Sequence, residues 1–214
     1  MIKDEVLALC ELSNDLLYQK IPKEKLAYYI SESLTIGKET ADEFVNRDIL
    51  DLCDENKIEI EYIRESKKTY GVSFRAQVEM DKKHTKIFLY EGSIRELAKN
   101  SGFTGRKALT YEEALKIHLS HEFFHYLEYT KNKFVPDRLE EIVTMRFLTF
   151  ARKARIQRCS EIAAHAFAKE LLGLKELPNV YDYSYLINSG KMKKDSFNGM
   201  LKENEAILKG LSLK

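Results

Sequence analysis

Two histidines and a glutamate at helical spacing are the residues of this chain best suited to carry out chemistry. They stand in the string His121-Glu122-Phe123-Phe124-His125. On a helix, side chains four residues apart project from one face, so both imidazoles can reach one Zn²⁺ at about 2.0 to 2.1 Å. Glu122 lies beside that face, where it can accept a proton from an attacking water and return it to a leaving amine. The spacing predicts a zinc-dependent peptidase site with His121 and His125 as metal ligands and Glu122 as the general base.

A helix start signal precedes this string. Thr110 can cap the backbone N–H of Glu113, and Glu113 can return the bond, just before a run of apolar residues at helical spacing. The pattern predicts a helix that begins at Thr110 and runs through His125 to about Tyr129.

The third ligand has to come from elsewhere, because a catalytic zinc usually has three protein ligands and an open fourth position. The downstream candidates are Glu140, Glu141 and Glu161. Residues 137–172 contain no Gly or Pro, which predicts two helices or one long one, ending before Gly173. On one straight helix, position 161 would lie roughly 30 Å beyond 141, at a rise of 1.5 Å per residue. In that case Glu141 would be nearer the metal.

Residues 160–172, SEIAAHAFAKELL, resemble the second signature of the ImmA/IrrE family of metallopeptidases. That family pairs a His-Glu-x-x-His helix with a later helix of the type Glu-x-x-Ala-Asn-x-Phe-Ala-x-x-Leu-Leu. The order of the predicted elements agrees over about residues 45–175. The chain departs from the pattern where Phe124 replaces a Gly, His165 replaces Asn, and Gly173-Leu174 follows the double leucine where Met-Pro is usual.

The resemblance implies a gluzincin site with one catalytic Zn²⁺. It makes His121 and His125 ligands, Glu161 the third ligand and Glu122 the general base. We expect residues 137–158 to form an inserted helix that leads back to the site, and Glu141 remains the alternative ligand. His165 is expected to orient a ligand or the reacting carbonyl. Imidazole and carboxylate also accept Mn²⁺ or Fe²⁺.

The resemblance also implies the reaction and the partner. We expect an endopeptidase that cleaves a partner protein, typically a helix-turn-helix transcriptional repressor. One alternative is a zincin-fold regulatory binding protein without proteolytic activity. Another is a helical interaction module with no metal.

Several further residues near the motifs are not expected to take part in catalysis. His118, one turn before His121, is expected to be a packing residue, and Cys159 a small buried residue of a helix. Four tyrosines could stabilise an oxyanion, but with twelve tyrosines in the chain none is assigned to catalysis: Tyr126, Tyr181, Tyr183 and Tyr185.

The predicted fold is α+β and zincin-like. Two or three amphipathic helices are expected before residue 56, with breaks at Ile21-Pro22 and Ile36-Gly37. Alternating residues predict a small three-stranded antiparallel sheet from 58–62, 72–78 and 86–90. It would pack on the His-Glu-x-x-His helix and a following ligand helix. A substrate is expected to add as a strand along the 72–90 hairpin.

Three segments are expected within one compact unit. They are an N-terminal helical segment (1–55), a zincin-like catalytic core (56–175) and a C-terminal helical appendage (176–214). The oligomeric state is left without a prediction.

Composition restricts the class of protein. The chain has 214 residues, 44% hydrophobic, with 35 basic and 34 acidic side chains and a net charge of +1. Because the basic and acidic side chains nearly cancel, we expect no direct nucleic-acid partner and no membrane partner. The three cysteines favour a reducing compartment. With no signal-peptide pattern and no apolar run of about 18 residues, a cytoplasmic protein is expected.

Overall fold

Helices dominate an α+β architecture in which a small sheet lies against the helix that carries the histidine pair. The structure, a computed structural model, describes residues 1–64, 68–69, 72–81, 84–103, 105–148 and 150–212. The α+β class is as predicted.

Three helices form the N-terminal part: α1 (Asp4–Leu12), α2 (Leu26–Asp42) and α3 (Ile49–Glu55). Two short 3-10 turns, Tyr18–Lys20 and Lys23–Lys25, separate the first two. The predicted break at Ile21-Pro22 therefore lies between α1 and α2.

The predicted break at Ile36-Gly37 is wrong, because α2 continues through Gly37. This glycine faces a later helix, α7 (Arg158–Leu171). A Cβ on Gly37 would overlap the carbonyl oxygen of Ala163 and lie 2.8 Å from the Cβ of Ala166. Gly37 therefore permits close helix packing and does not end the helix.

The strands of the first half are β1 (Ile58–Ile63), β2 (Lys68–Thr69), β3 (Val72–Ser73), β4 (Ala76–Met80) and β5 (Thr85–Tyr90). A three-stranded sheet has the order β1-β5-β4, while β2 and β3 pair with each other. The expected single strand over 72–78 is divided, because residues 74 and 75 lie outside the ladder.

The prediction that the sheet is antiparallel is wrong for one pair. β4 and β5 are antiparallel, but β1 runs parallel to β5. β4 and β5 are separated by only four residues in the sequence, which is too few for a parallel crossover, so they pair antiparallel. β1 then pairs with the opposite edge of β5. Alternation in the sequence identifies a strand but does not say which neighbour it pairs with.

The helix that carries the histidine pair was predicted closely. After α4 (Glu91–Asn100) the chain forms α5 (Tyr111–Thr130). The capping box is present: the Thr110 hydroxyl accepts a hydrogen bond from the Glu113 N–H at 3.1 Å. The Glu113 carboxylate accepts one from the Thr110 N–H at 2.7 Å.

The predicted helix over 137–158 is wrong. Only one turn, α6 (Val135–Arg138), is helical before an antiparallel hairpin of β6 (Ile142–Phe147) and β7 (Phe150–Ala154), which leads into α7. Its first strand begins with three consecutive β-branched residues, which favour a strand over a helix. Residue 148 takes a positive φ of 51° at the turn, although it is a leucine. The absence of Gly and Pro therefore did not indicate a helix here.

The C-terminal part consists of α8 (Asn179–Asn188) and α9 (Lys194–Ser212). α8 lies against α4, and α9 lies against α1, where the Asn204 amide donates to the Val6 carbonyl. Within the described ranges, every helix is too short or too polar to cross a bilayer. In the centre, α7 packs between α2 and α5, which sets the two motif-bearing helices side by side.

Candidate metal centre

Facing positions on α5 and α7 bring three donor side chains together. The ligand atoms of His121, His125 and Glu161 all lie within 4.8 Å of one another; we call these residues the donor cluster. The Nε2 atoms of the two histidines are 3.2 Å apart. Glu161 places Oε2 3.2 Å from Nε2 of His121 and Oε1 3.8 Å from Nε2 of His125.

These separations fit a tetrahedral zinc site. Donors about 2.0 to 2.1 Å from one ion, at tetrahedral angles, lie about 3.3 Å from each other. The two Nε2 atoms are 3.2 Å apart, and Oε2 of Glu161 is also 3.2 Å from Nε2 of His121, both close to that value. The other oxygen of Glu161, Oε1, is the one 3.8 Å from Nε2 of His125. The donor cluster therefore has the chemical types that Zn²⁺ prefers, at a spacing from which small side-chain shifts would reach one ion.

The electrostatics of the donor cluster favour a cation. Burial alone would lower the pKa of His121, but the hydrogen bond and charge of Glu161, with Glu122 and Glu11, raise that pKa to about 9. Burial would raise the pKa of Glu161, but the His121 hydrogen bond and the nearby histidines hold it well below its usual range. A proton on His121 balances Glu161 in the metal-free site, and a metal ion would replace that proton.

The competing ligand Glu141 does not reach the donor cluster. It is exposed at the base of the β6–β7 hairpin, with Oε1 3.9 Å from Nε of Arg155, and Glu140 pairs with Lys25. The distance argument for Glu141 assumed a straight helix, and the hairpin removes that assumption by returning the chain to α7. The geometry thus brings Glu161 to the histidines, while metal ligation by these residues stays a prediction.

Glu122 connects the donor cluster to the sheet. Its Oε2 accepts a hydrogen bond from the backbone N–H of Val78 on β4, at 2.9 Å. β4 is the edge strand of its sheet. Because the Tyr90 N–H donates to the Arg75 carbonyl, position 75 faces β5, and alternation then turns Val78 away from it. Among the described strands none pairs with this side of β4, so the proposed general base lies at a free edge of the described sheet.

One residue of this centre, Glu128, was missed by the sequence reasoning. Its carboxylate is buried, with the side chain only 5% exposed, and its Oε2 lies 2.9 Å from Nδ1 of His125. The Ser160 hydroxyl donates to the same oxygen at 2.5 Å, and the Val135 N–H donates to Oε1 at 2.8 Å. We call these four residues the Glu128 network. Because a carboxylate oxygen accepts hydrogen bonds, this network favours the tautomer of His125 with its proton on Nδ1, which would leave the Nε2 lone pair facing the donor cluster.

A signal for Glu128 was present in the sequence. A carboxylate three residues after a histidine lies on the same helix face, where it can reach the outer ring nitrogen. Ser160 carried no such signal, because its contact with Glu128 depends on how α7 packs against α5.

Two further histidines surround His121 without joining the donor cluster. The His165 ring centre is 4.8 Å from that of His121, and its Nδ1 has no hydrogen-bond partner among the described residues. Burial, and then the charge of His121, lowers the pKa of His165 to about 3. Burial likewise lowers the pKa of His118 well below its usual value. Both rings are neutral near pH 7 and line a cavity of about 10 Å³ with Asp182, room for about one water.

Cys159 and the four tyrosines have no hydrogen bond to a ligand atom of the donor cluster among the described residues, although Tyr181 lines the same small cavity as His121. Cys159 is fully buried, and burial raises the pKa of its thiol to about 12. Both observations agree with the predicted packing role. The Tyr126 hydroxyl donates to Asn56, and the ring of Tyr183 stacks on Phe197. The two remaining tyrosines bond or stack with charged groups of other helices and loops: Tyr181 with Arg106 and Tyr185 with Glu96.

The chain matches no protein-family model, no curated protein and no solved structure. The ImmA/IrrE assignment therefore depends on the two sequence motifs alone.

Proposed function

We propose that this protein is a zinc-dependent endopeptidase of the zincin type that cleaves a partner protein. The observation that carries the proposal is the donor cluster of His121, His125 and Glu161, with Glu122 placed between it and the edge of a sheet. The resemblance to the ImmA/IrrE family adds that the partner is a helix-turn-helix transcriptional repressor.

Each residue of the candidate metal centre has a separate role in the proposed reaction. His121, His125 and Glu161 would hold Zn²⁺, which when bound supplies a Lewis acid for the scissile carbonyl and lowers the pKa of water. Glu122 accepts a proton from the attacking water and passes it to the leaving amine. The Val78 N–H holds one Glu122 oxygen and leaves the other for this transfer. Glu128 keeps His125 in the orientation and tautomer that a ligand needs.

The edge of β4 that no described strand occupies suits an extended protein segment. Backbone groups of Ala76 and Met80 share the outward side with Val78, since side alternation along a strand has a period of two. A peptide added as a fourth strand would hydrogen-bond there and pass Glu122. Recognition through backbone groups favours the interior of an unfolded or extended segment, which is the substrate of an endopeptidase.

The proposed compartment is the cytoplasm, where a transcriptional repressor would be found. All three thiols of the chain are free and buried, which suits a reducing environment.

The test is to find the cut directly. A cell extract is incubated with the zinc-loaded protein or with Glu122→Gln, and newly formed protein N-termini are identified by mass spectrometry. The proposal expects N-termini that appear with the wild type and are missing with Glu122→Gln, although both proteins bind zinc. N-termini that form equally with both would contradict it.

The hydrogen bond between Glu122 and Val78 favours one other candidate function. It gives Glu122 a structural role, as expected in a regulatory binding protein of zincin fold without proteolytic activity. Such a protein would produce no new N-termini, and a Glu122→Ala variant, which lacks the acceptor for the Val78 N–H, would bind its partner more weakly.

A further inference from the structure

The β6–β7 hairpin exposes large apolar side chains that no part of the described chain covers. The exposed fractions are 52% for Met145, 69% for Phe147, 92% for Leu148 and 60% for Phe150. Phe147 and Phe150 pair across the two strands at the tip. Their side chains contribute little to the core, so the folded state does not explain why they are apolar.

Leu148 strengthens this point because its backbone is unfavourable for a leucine. Its φ is 51°, in the left-handed region that Gly and Asn adopt more easily, and hairpin turns prefer those residues for that reason. Leu148, the most exposed of the four apolar residues named above, thus also has a conformationally costly backbone. Such a choice is expected where the side chain contacts something outside the chain.

The hairpin is also basic, although the whole chain is nearly neutral. Residues 142–154 contain Arg146, Arg152 and Lys153 and no acidic residue. At the base, Arg155 contacts Asp137 and Glu141, but no described carboxylate pairs with the three cations nearer the tip. They lie one to three residues behind the phenylalanine pair, which is about 3 to 10 Å along a strand.

The net charge of the whole chain predicted no membrane partner, but the local charge of this hairpin points the other way, and we propose that its tip inserts into the surface of an anionic phospholipid bilayer. An apolar tip followed by cations at this distance matches a membrane interface. Apolar groups are buried there to a depth of about 5 to 10 Å, and anionic headgroups lie behind them. The inference does not depend on the donor cluster or on the proposed peptidase activity.

The distribution of the cations favours lipid over an acidic protein. The strand register places Met145, Phe147, Phe150 and Arg152 on one face of the hairpin. By the same alternation, Arg146 and Lys153 project from the opposite face. Headgroups surround an inserted tip and can meet charges on both faces, whereas a docked protein usually covers one face.

The test measures binding of the full-length protein to vesicles by flotation. Vesicles of phosphatidylcholine alone are compared with vesicles of phosphatidylcholine mixed with phosphatidylserine. The proposal expects binding only to the mixed vesicles, weakened by salt. Replacing Arg146, Arg152 and Lys153 by Gln should weaken binding by on the order of 100-fold.

A matched charge control replaces three exposed lysines outside the hairpin by Gln: Lys38, Lys99 and Lys107. It changes the net charge by the same amount and should bind as the wild type does. Equal losses in the two triple variants would show that general charge attracts the protein, and would overturn the proposal.

Leu148→Asn tests the insertion itself. Asn tolerates the left-handed backbone better than Leu, so this variant should unfold at the same temperature as the wild type or a higher one. It should nevertheless bind the mixed vesicles at least about fivefold more weakly, because an inserted apolar group is lost. Val45→Asn, which replaces another exposed apolar residue, is the control. Unchanged binding of Leu148→Asn, or binding to an acidic protein or nucleic acid in preference to the vesicles, would overturn the proposal.

Discussion

The Glu128 network makes a sharp prediction for Glu128→Gln. The carboxylate accepts from three donors: Nδ1–H of His125, the Ser160 hydroxyl and the Val135 N–H. An amide of the same shape has one acceptor oxygen and one NH₂ group, so it must turn the NH₂ toward at least one of these donors. If the NH₂ faces His125, the ring can accept its hydrogen bond only by moving its own proton to Nε2. That proton would block the atom that faces the donor cluster.

The expected size of the effect follows from the contact of Glu128 with His125 and from the burial of Glu128. Loss of a carboxylate that orients a ligating histidine typically lowers metal affinity by about 10- to 100-fold, or about 1.4 to 2.7 kcal/mol. Since Glu128 is buried, the metal-free variant should also lose about 1 to 3 kcal/mol of folding stability. We expect both losses. The loss of zinc affinity should remain when the affinity is measured on protein that is fully folded.

The assay is competition for zinc between the protein and a chromogenic chelator, with folding verified by circular dichroism. Nitrogen chemical shifts of His125 in the metal-free protein report which ring nitrogen carries the proton. Glu141→Gln is the matched control, because it removes an exposed carboxylate outside the donor cluster. If Glu128→Gln binds zinc within about twofold of the wild type and keeps the proton on Nδ1, our account of the network is refuted.

Other predictions concern packing, capping and pH. Gly37→Ala should destabilise the protein by about 1 to 3 kcal/mol in urea unfolding, because the new Cβ overlaps the backbone of α7. Gly199→Ala on α9 meets no atom within 4 Å, so it should stabilise by about 0.5 to 1 kcal/mol; equal effects would contradict the packing argument. Thr110→Ala should cost about 1 kcal/mol in the same assay through loss of the capping box, and an unchanged midpoint would contradict this. The pKa of His121 in the metal-free fold is about 9, above its value of about 6.5 in an unfolded chain. Its contribution to stability is therefore complete below about pH 6.5 and is lost as the pH rises toward 9. The melting temperature of chelator-treated protein should fall over that interval, and this dependence should be much weaker in Glu161→Gln.

Local signals in the sequence were sufficient for the helix of the histidine pair. The capping box at Thr110 and the spacing of His121 and His125 involve residues within one helix, so neighbouring residues determine them. The start of α5 at Tyr111 and the presence of both histidines in the donor cluster agree with that reasoning.

Features that depend on tertiary contacts were predicted less well. Gly37 was interpreted as a helix break because its packing against α7 is not visible in the local sequence. The strand at Ile58 was recognised, but its parallel pairing depends on which edge of β5 is free. The residues from 142 to 154 were interpreted as helix because they contain no Gly or Pro, although Ile142 begins a β-branched run that favours a strand.

The candidate site shows the same division. Glu161 was selected over Glu141 through a motif resemblance, whereas the geometric reasoning from a straight helix favoured Glu141. The position of Glu161 depends on the hairpin that returns the chain to α7, and the contact of Ser160 with Glu128 depends on the packing of α7 against α5. Side-chain networks between helices distant in sequence are beyond what spacing rules can predict.

The central claim is that the donor cluster binds one catalytic zinc, and metal stoichiometry tests it most directly. Zinc is measured by elemental analysis on the wild type and on four variants purified without chelator: Glu122→Gln, His125→Ala, Glu141→Gln and Glu161→Gln. We predict about one zinc per chain in the wild type, Glu122→Gln and Glu141→Gln, and a loss of zinc in His125→Ala and Glu161→Gln. A wild type without metal, or a Glu161→Gln variant that keeps its zinc while Glu141→Gln loses it, would contradict the account.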